Sequence, residues 1–121
     1  MATVGDDHDG VHNLQEYKHF EDAKSQPGLM VIDAFATWCG PCKMISPKIV
    51  EFSKMYKQAR FYKIDVDEMP DLSQELKIKA MPTFLLFKDG ELFETIVGAN
   101  PKAIENAIQK GLEEVEAAKK A

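Results

Sequence analysis

Residues Leu29-Met30-Val31-Ile32-Asp33-Ala34-Phe35-Ala36 form a near-continuous apolar run, bounded in front by Gln26-Pro27-Gly28 and interrupted only by Asp33. A strand with one wet face alternates polar and apolar residues, whereas one that is apolar throughout is covered on both faces. The run therefore predicts a central strand between layers of helices, which points to an α/β arrangement. It is also far too short to span a bilayer.

The rest of the chain supplies those layers. Val11 to Asn13 reads as a short strand. Asn13 is a candidate cap for a helix through Lys24, with Glu16 at the reciprocal capping position and Tyr17 and Phe20 facing inward. After the apolar run, Ile45, Ile49, Phe52 and Tyr56 recur at helical spacing and predict a helix from about Cys39 to Tyr56, bent at Pro47. Phe61 to Val66 is a third strand, and Pro70 to Leu76 a short helix buried through Leu72 and Leu76. Thr83 to Phe87 and Leu92 to Val97 flank Asp89-Gly90, a dipeptide suited to the positive φ angles of a tight hairpin. Asn100 as N-cap and Pro101 at the first helical position open a last helix, whose apolar stripe is Ile104, Ala107, Ile108, Leu112 and Val115. The predicted order is βαβαβ(α)ββα, with a mixed sheet and helices on both faces. Residues 1–10 lack periodicity and are expected to be a flexible extension; residues 11–118 form one domain, and 119–121 a tail.

Composition narrows the function. The net charge is −5, from 20 acidic against 15 basic residues, with Arg60 the single arginine. The lysines are scattered, so the basic footprint of a nucleic-acid binder is missing. The first ten residues are acidic and carry no apolar core of a secretory signal, and they lack the arginines of a mitochondrial leader, so the expected location is the cytoplasm. No membrane association is expected, and the expected state is a monomer.

The chain has only two cysteines, Cys39 and Cys42. A secreted domain stapled by disulfides would carry more, so this close pair points to redox chemistry or to metal binding. Trp38-Cys39-Gly40-Pro41-Cys42-Lys43 lies where the apolar strand ends and a helix begins. Free N–H groups and partial positive charge at a helix N-terminus stabilise a thiolate over a thiol. Cys39, at the very start, should feel this most and be the more exposed sulfur, with Cys42 deeper and one turn behind. Pro41 lacks an N–H that the first turn could not use, and it stiffens the loop. The competing reading is half of a zinc site completed by His8 and His12, which are separated by three residues. Zinc wants four ligands. The two histidines are expected to lie in the flexible extension, and Trp and Pro suit a rigid redox loop better, so no metal is expected.

Ala36-Thr37-Trp38-Cys39-Gly40-Pro41-Cys42-Lys43 resembles the active-site signature of the thioredoxin family, in its cytosolic, eukaryotic type. The likeness extends through Asp33, Lys63, Met81-Pro82-Thr83 and Val97-Gly98-Ala99, at similar spacings and in the same order, across about residues 11–118. It implies a thioredoxin fold, α/β, with a central mixed sheet of about five strands and about four helices. It implies a Cys39–Cys42 disulfide and a protein-disulfide reductase in which Cys39 is the nucleophile and Cys42 resolves the mixed disulfide. Asp33 would accept the proton of Cys42, Lys63 would pair with Asp33, and Gly40 and Pro41 would tune the redox balance. Pro82 would follow a cis peptide bond, and Trp38, Met81, Pro82, Gly98 and Ala99 would form a surface for disulfide-containing client proteins. No bound cofactor is implied: electrons would come from NADPH through thioredoxin reductase. Phe35 and Ala34 depart from the tryptophan and phenylalanine common in bacterial relatives, so somewhat different packing is expected behind the cysteines.

Overall fold

A computed structural model describes residues 10–120 of the chain. Nine elements follow one another: β1 (Val11–Asn13), α1 (Tyr17–Lys24), β2 (Leu29–Phe35), α2 (Gly40–Met55), β3 (Arg60–Asp65), α3 (Pro70–Glu75), β4 (Thr83–Lys88), β5 (Glu91–Val97) and α4 (Pro101–Lys120). The five strands form one mixed sheet in the order β1-β3-β2-β4-β5. β1, β3 and β2 run parallel, while β4 and β5 are antiparallel to their neighbours.

The all-apolar run occupies the middle of the sheet, and every residue of β2 is buried. Strand residues alternate between faces, and the two sets of β2 enter different cores. Leu29 and Val31 pack with Phe61, Phe84 and Leu86 beneath α2 (Ile45, Ile49, Phe52) and α4 (Ile104, Ile108, Val115). Met30, Ile32 and Ala34 pack with Ile64, Leu85 and Phe87 beneath α1 (Phe20, Ala23) and Leu72 of α3. Asp33 falls in step with Leu29 and Val31, so alternation assigns it to the face covered by α2.

Local signals end the elements where the sequence marks them. Asp89 and Gly90 take φ angles of 50° and 86°, the left-handed pair that a two-residue hairpin needs. The Asp89 carboxylate also accepts the Gly28 N–H at 2.7 Å, which ties the hairpin to the loop preceding β2. At α4 the Asn100 side chain accepts the Ala103 N–H at 3.2 Å, as an N-cap should.

Three expectations need correction. Asn13 does not cap α1: it ends β1, paired with Lys63, and the helix starts at Tyr17 after Glu16, which makes no side-chain cap bond. Parallel pairing of β1 with β3 claims the residue that the local pattern assigns to the helix. Tyr17 does not face inward either; it is exposed, and its hydroxyl donates to the Glu75 carboxylate, linking α1 to α3. Finally, Lys119 and Lys120 belong to α4 and not to a tail. Cations in a last turn favour the helix dipole, and Ala117 and Ala118 are strong helix formers.

α4 lies so close to β2 that a methyl group on Gly111 would sit 2.7 Å from Leu29 Cδ1. Leu29 is fully buried and has little room to turn away. Gly111→Ala should therefore lower stability by about 1 kcal/mol, because overpacking outweighs a helix-propensity gain of similar size. Shortening the neighbour relieves the clash. In denaturant unfolding, Gly111→Ala combined with Leu29→Val should be less destabilised than the sum of the two single variants.

Candidate active site

β2 delivers the chain to one edge of the sheet, and a turn closed by the Cys39 N–H on the Ala36 carbonyl (3.1 Å) redirects it into α2. Cys39 is the N-cap of that helix, with Gly40 and Pro41 in its first turn. The Cys39 sulfur accepts the Cys42 backbone N–H at 3.1 Å, so it occupies the seat that a serine or aspartate oxygen takes at an ordinary helix start. One of the unsatisfied donors of the helix is thereby directed at sulfur. Cys39 and Cys42 are joined as a disulfide, with Cα atoms 5.3 Å apart. Their wall is Phe35 and Ala36, with Val66 and Met81 against it. The expected greater exposure of Cys39 is slight in this oxidised form: 5% against 2% for Cys42.

Asp33 and Lys63 are direct neighbours across the parallel β2–β3 pair, and both are buried, at 6% and 5% exposure. Removal from water pushes the Asp33 carboxyl up to about 7, with the charge of Lys63 pulling it the other way. A carboxyl held there can both take and release a proton at neutral pH. The Lys63 ammonium also lies 5.7 Å from the centre of the Phe35 ring.

The Met81–Pro82 peptide bond is cis. Met81 is half-buried against the cysteines, and Pro82 is buried at the start of β4. The Pro82 carbonyl accepts the Gly98 N–H at 2.8 Å, and the Thr83 hydroxyl donates to the Ala80 carbonyl at 2.6 Å. Gly98 has a φ of 104°, a conformation that L side chains rarely adopt. Ala99 beyond it is exposed. Trp38 stands 67% exposed, and its indole N–H donates to Asp67 at 2.9 Å. Asp67 is in turn fixed by its own N–H on the Asp65 carboxylate.

Several residues here escape a reading of motifs. Asp67 carries a signal only in hindsight, as a carboxylate just past the end of β3. Met44 is 81% exposed two residues after Cys42; Val97, which the motif around Gly98 includes without a role, is exposed as well. Of the alternative zinc ligands, His8 lies outside the described residues, and His12 belongs not to an extension but to β1, where it pairs with Tyr62 of β3. Among the described residues no group of three or more His, Cys, Asp or Glu is placed to hold a metal ion.

The geometry has clear relatives. The family model described as Thioredoxin matches residues 10–110. Thioredoxin-1 of Saccharomyces cerevisiae is 56% identical over 98 residues, covering 81% of this chain and 95% of the relative. Thioredoxin AMT13 of Alternaria alternata is 49% identical over 107 residues, covering 88% and 91%. Among solved structures, oxidised mitochondrial thioredoxin 3 of Saccharomyces cerevisiae superposes with a TM-score of 0.80 at 45% identity, covering 83% of this chain and 94% of that one. A helix-capping cysteine disulfide-bonded to its neighbour one turn on, within a chain so widely matched, identifies this protein as a member of the thioredoxin family, a protein-disulfide oxidoreductase whose redox-active pair is Cys39 and Cys42.

Proposed function

We propose that the chain acts as a reductant in the cytoplasm, recharged by NADPH through a thioredoxin reductase, with Asp33 as the proton acceptor of Cys42. The observation that carries the reading is the N-cap seat of Cys39, whose sulfur receives a backbone N–H and the positive end of α2. In the reduced protein a thiolate in that seat attacks one sulfur of a client disulfide. A mixed disulfide forms, and the other client sulfur leaves with the electron pair of the broken bond. Cys42 then loses its proton to Asp33 and attacks the Cys39 sulfur, which releases the client as a dithiol and oxidises the pair. The second attack is intramolecular, so proximity favours it over escape of the mixed disulfide.

Direction follows from how strongly the thiolate is held. Excess stabilisation makes the disulfide the less stable form and turns such a protein into an oxidant. Pro41 places no charge beside the pair, whereas a histidine at that position, as in disulfide-isomerase-like relatives, would, and Gly40-Pro41 therefore supports a reductant. A chain with two cysteines at redox spacing suits a compartment where thiols stay reduced. Among the described residues no helix is long and apolar enough to cross a membrane. Client docking is assigned to exposed Trp38, to Met81 next to the cis bond, and to the strip from Pro82 to Gly98 and Ala99. An extended client segment would add to the Met81 backbone as a strand. Lys63 serves as the charge that keeps ionised Asp33 tolerable inside the core.

Insulin reduction coupled to NADPH oxidation by a thioredoxin reductase tests the reading. Wild type should turn over, Cys39→Ser should be inactive, and Cys42→Ser should accumulate clients as mixed disulfides on Cys39. Absence of any trapped client from Cys42→Ser contradicts the order of attack.

The raised carboxyl of Asp33 has a consequence for stability. Between the ordinary value of 3.8 and about 7 the folded chain keeps a proton that the unfolded chain has lost. Stability from this residue is thus full below about 4 and falls as pH rises toward 7. Asp33→Asn should stabilise the oxidised protein by roughly 2–4 kcal/mol at pH 8 and by much less at pH 4, as read by denaturant unfolding. An equal effect at the two pH values contradicts the assignment.

A further inference from the structure

One buried carboxylate takes no part in the steps above. Asp65 ends β3 at 5% exposure, and an aspartate is seldom buried so far without partners. Its register partner is Phe35, the last residue of β2. The two parallel strands therefore finish side by side, where β2 runs on to Trp38 and Cys39 and β3 runs on to Val66 and Asp67. The Val66 N–H donates to the Phe35 carbonyl at 2.9 Å and ties the two exits together. Val66 itself packs against the wall of the disulfide.

Two hydrogen bonds in series then lead from the core to the surface. Asp65 Oδ1 accepts the Asp67 N–H at 2.9 Å, and Asp67 Oδ2 accepts the Trp38 indole N–H, also at 2.9 Å. The outer link joins two exposed side chains. Water competes for both groups and ordering them costs entropy, so such a link is weak by itself. Nor does core packing hold the indole, since Trp38 is 67% exposed. The inner link changes the balance. Its acceptor is a carboxylate shielded from water, which makes a strong partner for a backbone N–H. It fixes the backbone from which the Asp67 side chain springs. The indole then meets a partner already in place, and less freedom is lost on contact.

We propose that Asp65 is a positioning residue for client recognition: acting through Asp67, it holds the Trp38 indole as a fixed wall against which an extended protein client lays the chain flanking its disulfide. The proposal rests on the reading of Trp38 as a client contact. Asp65 touches neither the client nor the sulfurs. Its effect is on selection: a wall set in advance favours disulfides that carry a flanking chain over small disulfides that carry none. An ordinary role for Asp65 also exists, because its carbonyl accepts the Glu68 and Met69 N–H groups at 3.1 and 2.9 Å and so opens the approach to α3. Those bonds use the backbone and survive loss of the side chain, so side-chain variants separate the two roles.

The chain has a single tryptophan, so its fluorescence reports on Trp38 alone. In Asp65→Ala the anisotropy of that fluorescence should fall, because a released side chain at the surface turns within nanoseconds. Oxidation of the fully reduced protein by insulin, followed over a single turnover, should slow about fivefold. Oxidation by 2-hydroxyethyl disulfide, which has no flanking chain, should hold nearly constant. Asp65→Asn keeps an acceptor oxygen and should restore both the anisotropy and the insulin rate. Asp67→Ala should reproduce the loss, and Asp65→Ala added to it should slow insulin little further, since both act through one contact. In the wild type the Asp67 amide should be protected from hydrogen exchange, a reading that needs no variant to fold. An Asp67 amide that exchanges freely, or an unchanged anisotropy and insulin rate in Asp65→Ala, overturns the role of Asp65. Trp38→Ala should slow insulin about tenfold. A wild-type insulin rate in Trp38→Ala overturns instead the reading of the indole as a client contact, and the selective effect of Asp65 falls with it.

Discussion

The seat of the Cys39 sulfur on the first turn of α2 is the contact that the other features of this molecule serve. A helix start offers N–H groups with no partner inside the helix, and here one of them meets sulfur. The seat works only if the helix cannot turn or slide. Ile45, Ile49 and Phe52 anchor α2 in the core that it shares with α4 and one face of β2. β2 in turn is held on both edges by hydrogen-bonded neighbours and on both faces by side chains. A rigid strand feeding a rigid helix leaves the short turn between them little freedom, and that turn holds Trp38 and Cys39, with Cys42 in the first turn of the helix.

The same double burial creates the cost that the chemistry exploits. A carboxyl in the middle strand has lost its water, and neutralising it is easier than keeping it charged. Lys63 beside it limits the penalty without removing it. The outcome is a group poised near neutrality within the core below α2, at the expense of stability above its ordinary ionisation range. The pair of cysteines contributes electrons, and in the proposed reaction the buried carboxyl takes the proton. Outside this core the site is apolar and open: Trp38, Met44 and Val97 stand in solvent, while Asp67 restrains the indole.

Much of this architecture was legible from local pattern. The apolar run needs no knowledge of its neighbours to be read as a doubly covered strand, and Asp89-Gly90 and Asn100-Pro101 carry their own conformational demands. The cysteines were legible because two residues between them, at a strand-to-helix junction, have few uses. Apart from the length of α4, what failed depended on a distant partner. Asn13 and Glu16 have the spacing of a capping box, yet pairing of β1 with β3 takes Asn13 first. Tyr17 has helical spacing to Phe20, yet Glu75, fifty-eight residues on, holds its hydroxyl outside the core. Asp67 belongs to the same class: it matters because of what lies across from it, the Trp38 indole, and no local stretch states that pairing.

The central claim is that the helix tip holds Cys39 as a thiolate in the reduced protein. Its most direct test is the rate at which iodoacetamide alkylates Cys39 at pH 6, measured beside glutathione under the same conditions, with Cys42→Ser used to isolate the one sulfur. A thiolate stabilised in its seat should react about fivefold faster than the free thiol, even after allowance for its lower intrinsic nucleophilicity. A rate equal to or below that of glutathione would contradict the account.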